Sequence, residues 1–228
     1  MRNFDIDNGM GGAAIGSMAA SGGKVFNLTA GVAAPGFVMG FSRNEEIYGE
    51  DEPADFVYKV VSGAVRTTRI LSDGRRQIAD FHFVGDVFGL EAGETHSLCA
   101  EAITDCRIAL VKRIAVDRAT DRDSLAAREL WGVTARDLRR LQDHMLLLGR
   151  KGAMERIAAF LLDMSARTGE RLAVDLPMSR SDIADYLGLT IETVSRSLTQ
   201  LERDGVVALP SFRRVELLNR AALEDHAA

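Results

Sequence analysis

The segment from Arg180 to Leu198 carries a small residue, a glycine and several apolar residues at fixed intervals. Counted from Arg180 as position 1, Ala184 is at position 5 and Gly188 is at position 9. The apolar residues at positions 4, 8, 10, 15 and 18 are Ile183, Leu187, Leu189, Val194 and Leu198. A small residue at position 5 lets two helices approach closely, and a glycine at position 9 adopts the left-handed conformation that a Cβ atom penalises. The spacing therefore predicts a helix-turn-helix.

The second helix of this motif has a polar outer face. With Val194 and Leu198 turned inward, the face presents Ile191, Glu192, Ser195, Arg196 and Thr199. Arginine can donate two hydrogen bonds to guanine O6 and N7, and glutamate can accept one from the amino group of cytosine. The alternative for the glutamate and arginine, four residues apart, is a solvated salt bridge worth about 0.2–0.5 kcal/mol. Because the N-terminal half of a recognition helix reaches base edges, we predict base reading by Ile191, Glu192, Ser195 and Arg196.

Contacts to DNA phosphates must come from a local arrangement, because the C-terminal part of the chain is not strongly basic. From Gly149 to Ala228 there are eleven Lys and Arg residues and twelve Asp and Glu residues. The candidates lie on the two helices and in a wing hairpin predicted within VVALPSFRRVELLN, and they are Arg180, Thr190, Thr199, Arg203, Arg213 and Arg214. We predict that Ser179 or Ser181 caps the first helix and that Thr190 caps the second, where the helix N-terminus adds backbone donors.

The N-terminal half of the chain has the pattern of a β-rich domain. Short runs such as VYKVV, AVRTTRI, RQIADFHF and CRIALVKR partly alternate apolar and polar residues. Turn signals at Ser62-Gly63, Asp73-Gly74 and Gly85-Asp86 separate them. We predict a small barrel or roll over 25–120, preceded by a glycine-rich and disordered tail over 1–24.

A long helix is predicted over 121–149, followed by a winged helix-turn-helix domain over 150–228. The helix repeats apolar residues at intervals of three and four, at Trp131, Leu138, Leu141, Met145 and Leu148, with Thr134 in the same series. Such a seam is typical of a coiled coil, and the alternative is a helix packed on its own domain. Because the seam lies between two predicted domains, we favour dimerisation. The fold class is therefore α+β.

Composition narrows the function classes. No segment approaches the roughly 18 uncharged apolar residues of a membrane helix, and the N-terminus lacks the apolar core of a signal peptide. The only cysteines, Cys99 and Cys106, do not form a disulfide framework. We expect a cytoplasmic, reducing setting and no membrane partner. The net charge of −5 excludes a protein wholly coated in nucleic acid but not a local basic patch.

The roll, the long helix and the helix-turn-helix together resemble the Crp/Fnr transcription regulators over roughly residues 30 to 220. The segments YKVVSGAVRTTRILSDGRRQIADFHFVGDVFG, LLLGRKGAMERIAAFLL and MSRSDIADYLGLTIETVSRSLTQLERDGVV carry the resemblance, and DIADYLGLTIETVSR is most similar to FixK-type members. The resemblance implies a cyclic-nucleotide-binding-like jelly roll and a homodimer on a palindrome such as TTGAT-N4-ATCAA. It also implies recruitment of RNA polymerase at genes of microaerobic respiration, denitrification or nitrogen fixation. We expect the polymerase to contact surface loops of the roll, around Ser72 to Gln77.

The sequence differs from two groups of family members at the residues that bind their effectors. The cAMP-binding members carry an arginine that holds the cyclic phosphate, whereas here His96-Ser97 occupies that place. A buried phosphate without this arginine would be poorly compensated. The iron–sulfur members use four cysteines, mostly near the N-terminus, and this chain has two in all. We therefore expect no cofactor, with Cys99 and Cys106 as small core residues.

Two other functions stay open at this point. One is a regulator that depends on an unidentified small molecule bound in the roll. The other is a cupin-like metalloenzyme, which the four histidines oppose because no two are adjacent or one residue apart; they are His82, His96, His144 and His226. We expect no metal site and no enzymatic activity, and we interpret His82 and His96 as structural or surface residues.

Overall fold

The computed structural model describes residues 24–150 and 152–227. The first part is a β-roll whose nine strands form two antiparallel sheets. The strands are β1 (Lys24–Asn27), β2 (Ala33–Phe41), β3 (Glu46–Tyr48), β4 (Phe56–Ser62), β5 (Val65–Ile70), β6 (Arg76–His82), β7 (Val87–Phe88), β8 (Cys99–Ala102) and β9 (Cys106–Lys112). One sheet has the order β1-β2-β9-β4-β7 and the other the order β3-β8-β5-β6. The prediction of an α+β fold with an N-terminal roll is confirmed. The predicted tail lies outside the described residues, except that Lys24 begins β1.

The predicted turn signals lie between consecutive strands of the roll, and the one at Asp73-Gly74 closes a hairpin. Gly63 joins β4 to β5 with a φ of 87°, and a Cβ atom there would lie 2.6 Å from the backbone oxygen of Asp105. Only glycine fits both the dihedral angle and the space. The Asp73-Gly74 turn joins β5 to β6, where Asp73 accepts a hydrogen bond from the backbone N–H of Arg75. The Asp73-Gly74 turn closes the β5–β6 hairpin, which contacts the C-terminal domain through Arg76.

Two helices follow the roll, where one was predicted. Helix α1 (Arg113–Arg122) begins directly after β9, so residues 113–120 of the predicted roll are helical. Asp123 then has an extended backbone, and its carboxylate accepts a hydrogen bond from the backbone N–H of Leu125. The long helix α2 therefore spans Ser124–Arg150 instead of 121–149. Asp123 separates the helices because its short side chain binds the backbone at the start of the second one.

The long helix covers one end of the roll with one face and leaves another face open. Ala126 and Val133 are buried against Leu28, Val57 and Val111 of the roll. The predicted seam points elsewhere. Trp131 is 73% exposed and Met145 is 64% exposed, and Leu138 and Leu141 are also exposed. Leu148 is half-buried near the turn at Gly188. The alternative in which the seam packs on its own chain is therefore wrong for all its apolar residues except Leu148.

The C-terminal domain consists of four helices and a small sheet. Its elements are α3 (Ala153–Thr168), β10 (Ala173–Asp175), α4 (Arg180–Leu187), α5 (Ile191–Arg203), β11 (Val207–Ala208), β12 (Arg214–Leu217) and α6 (Arg220–Ala227). Strands β11 and β12 form the predicted wing hairpin, and β10 pairs with the other side of β12. Buried residues of α3, α4 and α5 share one apolar cluster, which also includes Ile78 and Phe81 of the roll.

Candidate DNA-binding surface

Helices α4 and α5 form the predicted helix-turn-helix, and each begins at a capping side chain. Ser179 caps α4: its Oγ accepts from the backbone N–H of Asp182 at 3.1 Å, and the Asp182 carboxylate accepts from the backbone N–H of Ser179 at 3.0 Å. Thr190 caps α5 by accepting from the backbone N–H of Thr193 at 3.2 Å. Such caps satisfy backbone donors that a helix leaves unpaired at its start. The sequence left Ser179 and Ser181 as alternatives, and Ser179 makes the cap.

The turn between the two helices has the predicted geometry. Gly188 has a φ of 62° and a ψ of 40°, which is the left-handed region. The two helices then share a core whose members are Ile183, Ala184, Leu187, Val194 and Leu198, all buried, with Leu189 half-buried. This packing fixes which face of α5 points outward.

The outward face of α5 carries the predicted base-reading residues. Ile191, Glu192 and Arg196 are exposed, and Ser195 and Thr199 are half-buried beside them. The guanidinium of Arg196 lies 3.4 Å from the backbone oxygen of Glu192 and 3.4 Å from the Thr193 hydroxyl. Hydrogen bonds from its own backbone N–H and from Thr190 lower the pKa of Glu192, so this carboxylate stays charged. The face therefore offers one anionic acceptor and one cationic donor, one helical turn apart.

The predicted phosphate-binding residues surround this face. Thr190 is at the start of α5, and Arg203 is exposed at its end. Arg180, the first residue of α4, lies with its guanidinium 5.6 Å from the centre of the Phe212 ring. Arg213 is exposed in the wing. Arg214 also lies there, but its guanidinium is paired with Asp175 at 3.1 Å, so it is less available for a phosphate.

Phe212 is a residue that the sequence interpretation missed. Its side chain is 86% exposed at the tip of the wing, and Arg180 of α4 stacks on it. A cation over an aromatic face gains about 0.5–1 kcal/mol at an exposed site. The signal available in the sequence was an aromatic residue between two turn residues and two arginines, in PSFRR.

Aromatic side chains fill part of the interior of the roll. Tyr48, Tyr58, Phe88 and His96 are all buried. The ring of His96 stacks on Tyr48 with 3.6 Å between centroids, and Tyr58 stacks on Phe88 at 5.3 Å. Burial lowers the pKa of His96, against the opposing effect of Glu91. Burial therefore favours the neutral form of the His96 imidazole.

The other side chains that could hold a cofactor, those of His82, Cys99 and Cys106, have the environments of structural residues. His82 is buried, lies 3.2 Å from the Thr67 hydroxyl and stacks on Phe88. Cys106 is buried with its Sγ 3.1 Å from the backbone oxygen of Ala64, and Cys99 is partly buried. Within residues 24–150 and 152–227, no three His, Cys, Asp or Glu side chains are grouped to hold a metal ion. In the same residues, no helix combines the length and apolar character needed to cross a membrane.

Comparison with known proteins matches both parts of this architecture. Residues 38–123 match the model of the cyclic nucleotide-binding domain, and residues 155–226 match that of the Crp-like helix-turn-helix domain. The nitrogen fixation regulation protein FixK of Azorhizobium caulinodans is 51% identical over 197 residues, which are 84% of this chain and 79% of that protein. FixK of Rhizobium meliloti is 44% identical over 84% of this chain and 87% of its own length.

A solved structure is similar over nearly its whole length. FixK2 from Bradyrhizobium japonicum superposes with a TM-score of 0.82 at 54% identity, covering 85% of this chain and 98% of that one. Sequence identity at this level, a shared domain order and a shared helix-turn-helix lead to one conclusion. The chain belongs to the Crp/Fnr family of DNA-binding transcription regulators, in its FixK-like branch.

Proposed function

We propose that this protein is a homodimeric transcription activator that binds a palindrome of the type TTGAT-N4-ATCAA and recruits RNA polymerase without a bound effector. The similar proteins named as nitrogen fixation regulators support a role at nitrogen-fixation or microaerobic genes. The observation that carries the proposal is the outward face of α5. It places a charged glutamate and an arginine in the N-terminal half of the second helix, clear of the protein core.

Each half-site is read by one α5 helix in the major groove. Arg196 donates to O6 and N7 of a guanine in the TTGAT core, and Glu192 accepts from the cytosine paired with it or from a neighbouring base. Ile191 and Ser195 contact the adjacent bases. Arg180, Thr190, Thr199, Arg203, Arg213 and Arg214 bind phosphates on either side and set the register.

Dimerisation occurs through the exposed seam of α2. Trp131, Leu138, Leu141 and Met145 form an apolar stripe that no other part of the described chain covers, and Leu148 continues it towards the helix-turn-helix. An apolar stripe of this kind is typical of an interface. Two helices paired along it place the two α5 helices on the same side of the dimer, as a palindrome requires.

Effector independence is supported by the contents of the roll. A cyclic nucleotide would need to displace the stacked His96 and Tyr48 rings and would meet no buried arginine at its phosphate there. Burying a phosphate without a cationic partner is costly. RNA polymerase would contact the exposed tip of the β5–β6 hairpin at residues 72–75. Arg76 and Gln77, which the sequence included in this surface, contact α4 instead.

The test is fluorescence-anisotropy binding of purified protein to a labelled TTGAT-N4-ATCAA duplex, first without any added molecule and then with cAMP. We expect tight, saturable binding that a duplex with scrambled half-sites does not compete away and that cAMP does not change. Binding that required cAMP, or a compound that co-purifies with the protein and is lost on dialysis, would favour the effector-dependent alternative. No preference for the palindrome at all would contradict the proposed function.

A further inference from the structure

Two arginines of the β5–β6 hairpin contact the first helix of the helix-turn-helix. Arg66 of β5 lies with Nη1 3.2 Å from Oδ1 of Asp182. Arg76 of β6 lies with Nη2 2.7 Å from the same oxygen and 2.7 Å from Oδ2 of Asp185. The roll is thus joined to α4 by ion pairs that span more than one hundred residues of sequence.

The two carboxylate oxygens of Asp182 make two different sets of contacts. Its Oδ2 accepts from the backbone N–H and the hydroxyl of Ser179 and so completes the cap of α4, while its Oδ1 accepts from the two arginines. Burial opposes the charge of Asp182, but the Ser179 hydrogen bonds and the two guanidinium groups lower its pKa. The start of α4 is therefore tied to the roll through its own cap.

The Arg66–Asp182 pair is buried, whereas the Arg76–Asp185 pair is partly exposed. Arg66 is 8% exposed and Asp182 is 3% exposed, and Glu101 of β8 holds the Nε of Arg66 from the other side at 2.7 Å. Planar guanidinium groups held by two carboxylates have little freedom to turn. Such a contact fixes an angle as well as a distance between the roll and α4.

The contact does not cover the outward face of α5. It lies at Asp182 and Asp185 of α4, whereas Ile191, Glu192 and Arg196 of α5 remain exposed. Apolar contacts between Phe81 and Tyr186, and ion pairs from Arg167 to Asp80 and Asp86, join the same two domains nearby. These further contacts should keep the domains attached when the arginine pair is removed.

We propose that Arg66 and Arg76 are positioning residues for DNA recognition: they hold α4, and with it α5, at a fixed angle to the dimer helix. The two reading helices are then spaced for the palindrome before DNA or any small molecule binds. This inference rests on the proposed function, in which two α5 helices bind half-sites about one helical turn apart, roughly 34 Å. It supplies a physical reason why the protein needs no effector to order its DNA-binding domains.

The variant that tests this role is the double substitution Arg66→Gln/Arg76→Gln. The matched control is Arg69→Gln/Arg107→Gln, which removes the same charge from the roll. Arg69 pairs with Glu50, and both arginines are exposed. Circular dichroism and thermal unfolding establish that each variant is folded.

The first readout is binding to TTGAT-Nn-ATCAA duplexes with spacers of four, five and six base pairs. Rigid presentation of two sites raises avidity by about 10²–10⁴ over one site, so freeing the angle should weaken binding to the four-base-pair spacer roughly tenfold or more. The preference for this spacer over the longer ones should shrink by a similar factor, because loose domains adapt to other spacings. The control should keep the affinity and spacing preference of the wild type.

The second readout needs no DNA. Small-angle X-ray scattering of the free proteins should give a larger radius of gyration for Arg66→Gln/Arg76→Gln than for the wild type and the control. Equal loss of affinity at every spacer would mean that the arginines only support folding, and tighter binding would mean that the contact restrains the protein from DNA. Either result, or an unchanged radius of gyration, would overturn the inference. A wild type that binds no palindrome would instead refute the proposed function, and the scattering comparison would still decide the role of the arginines.

Discussion

At the scale of single residues, the polar side chains discussed above are of two kinds, those exposed on α5 and those buried inside the molecule. Glu192 and Arg196 are exposed and aimed away from the core, so their exchange should affect DNA binding far more than folding. The polar groups inside the molecule behave in the opposite way. Asp182 and His96 are buried and already bound by neighbours, so their exchange should affect stability first.

Arg196→Ala should remove discrimination at the G·C pair of the half-site. A good bidentate contact is worth about 1–3 kcal/mol of discrimination, while binding to nonspecific DNA rests on phosphates and should fall much less. Arg213→Ala in the exposed wing is the matched comparison. It should weaken binding to all DNA sequences by a similar factor and reduce the dependence of affinity on salt concentration. Competition binding against sites mutated at each position measures both. Full discrimination by Arg196→Ala would show that another residue reads this pair.

His96→Phe should reduce the sensitivity of the protein to mild acid. Burial lowers the pKa of His96 in the folded state, so the unfolded chain, with a pKa of about 6.5, takes up the proton first. The stabilisation is complete above that pH and is lost as pH falls towards the folded pKa, at up to about 1.4 kcal/mol per pH unit. Phenylalanine can keep the stack on Tyr48 without titrating.

The measurement for His96 is the free energy of urea unfolding as a function of pH, from about 7.5 down to about 5. The slope should be shallower for His96→Phe than for the wild type. Some slope should remain, because burial also lowers the pKa of His82 and His144. Parallel profiles for the two proteins would contradict the assignment of a neutral, buried His96.

At the scale of elements, the helix-turn-helix depends on one backbone conformation between its helices. Gly188 is left-handed with a φ of 62°, and a Cβ atom there would meet no neighbour closer than 3.6 Å. Space is therefore available and the dihedral angle alone selects glycine. The caps by Ser179 and Thr190 then begin α4 and α5 at fixed residues, so the angle between the helices is set locally.

Gly188→Ala should destabilise the protein by about 1–2 kcal/mol, which is the cost of a left-handed residue with a Cβ atom. The control is Gly149→Ala, at a helical position of α2 with no neighbour near its Cβ site, where alanine should stabilise by up to about 1 kcal/mol. Denaturant unfolding compares the two. If both substitutions changed the free energy of unfolding in the same direction, the left-handed backbone would not be the reason for glycine at position 188.

At the scale of the whole molecule, the exposed seam of α2 and the buried contacts of the β5–β6 hairpin have complementary roles. The seam offers an apolar surface for a second copy, and the hairpin joins the helix-turn-helix to the roll. In the proposed dimer, the ion pairs of the hairpin would carry the two-fold symmetry of the seam to the two α5 helices. Because the net charge is −5, we expect the phosphate contacts to come from the few arginines near α5.

Leu141→Glu/Met145→Glu should give monomers, because like charges and lost apolar contact would oppose pairing along the seam. The control is Leu125→Glu, since Leu125 is an exposed leucine of the same helix outside the seam. Sedimentation velocity at micromolar concentration measures the mass. The single tryptophan, Trp131, lies in the seam, so its emission should shift to longer wavelength in the monomer. Persistent dimers would refute the seam as the interface.

The sequence alone determined those features that depend on local chemistry. The spacing of Ala184, Gly188 and the apolar positions predicted the helix-turn-helix. The turn glycines predicted turns between strands of the roll, because few residues other than glycine adopt a left-handed backbone. The period of the long helix predicted an apolar seam. Its start was wrong by a few residues, because Asp123 acts through a hydrogen bond to the backbone that leaves no periodic signal.

Only the tertiary structure decided which distant residues meet. Arg66 and Arg76 are ordinary charged residues in a strand pattern, and Asp182 is one of several polar residues at the start of a helix, yet folding places a guanidinium nitrogen of each arginine within 3.2 Å of Asp182. The stack of His96 on Tyr48 joins positions 48 residues apart, and Phe212 meets Arg180 across the wing. Periodicity and turn chemistry report only near neighbours along the chain, whereas these contacts depend on how whole elements pack.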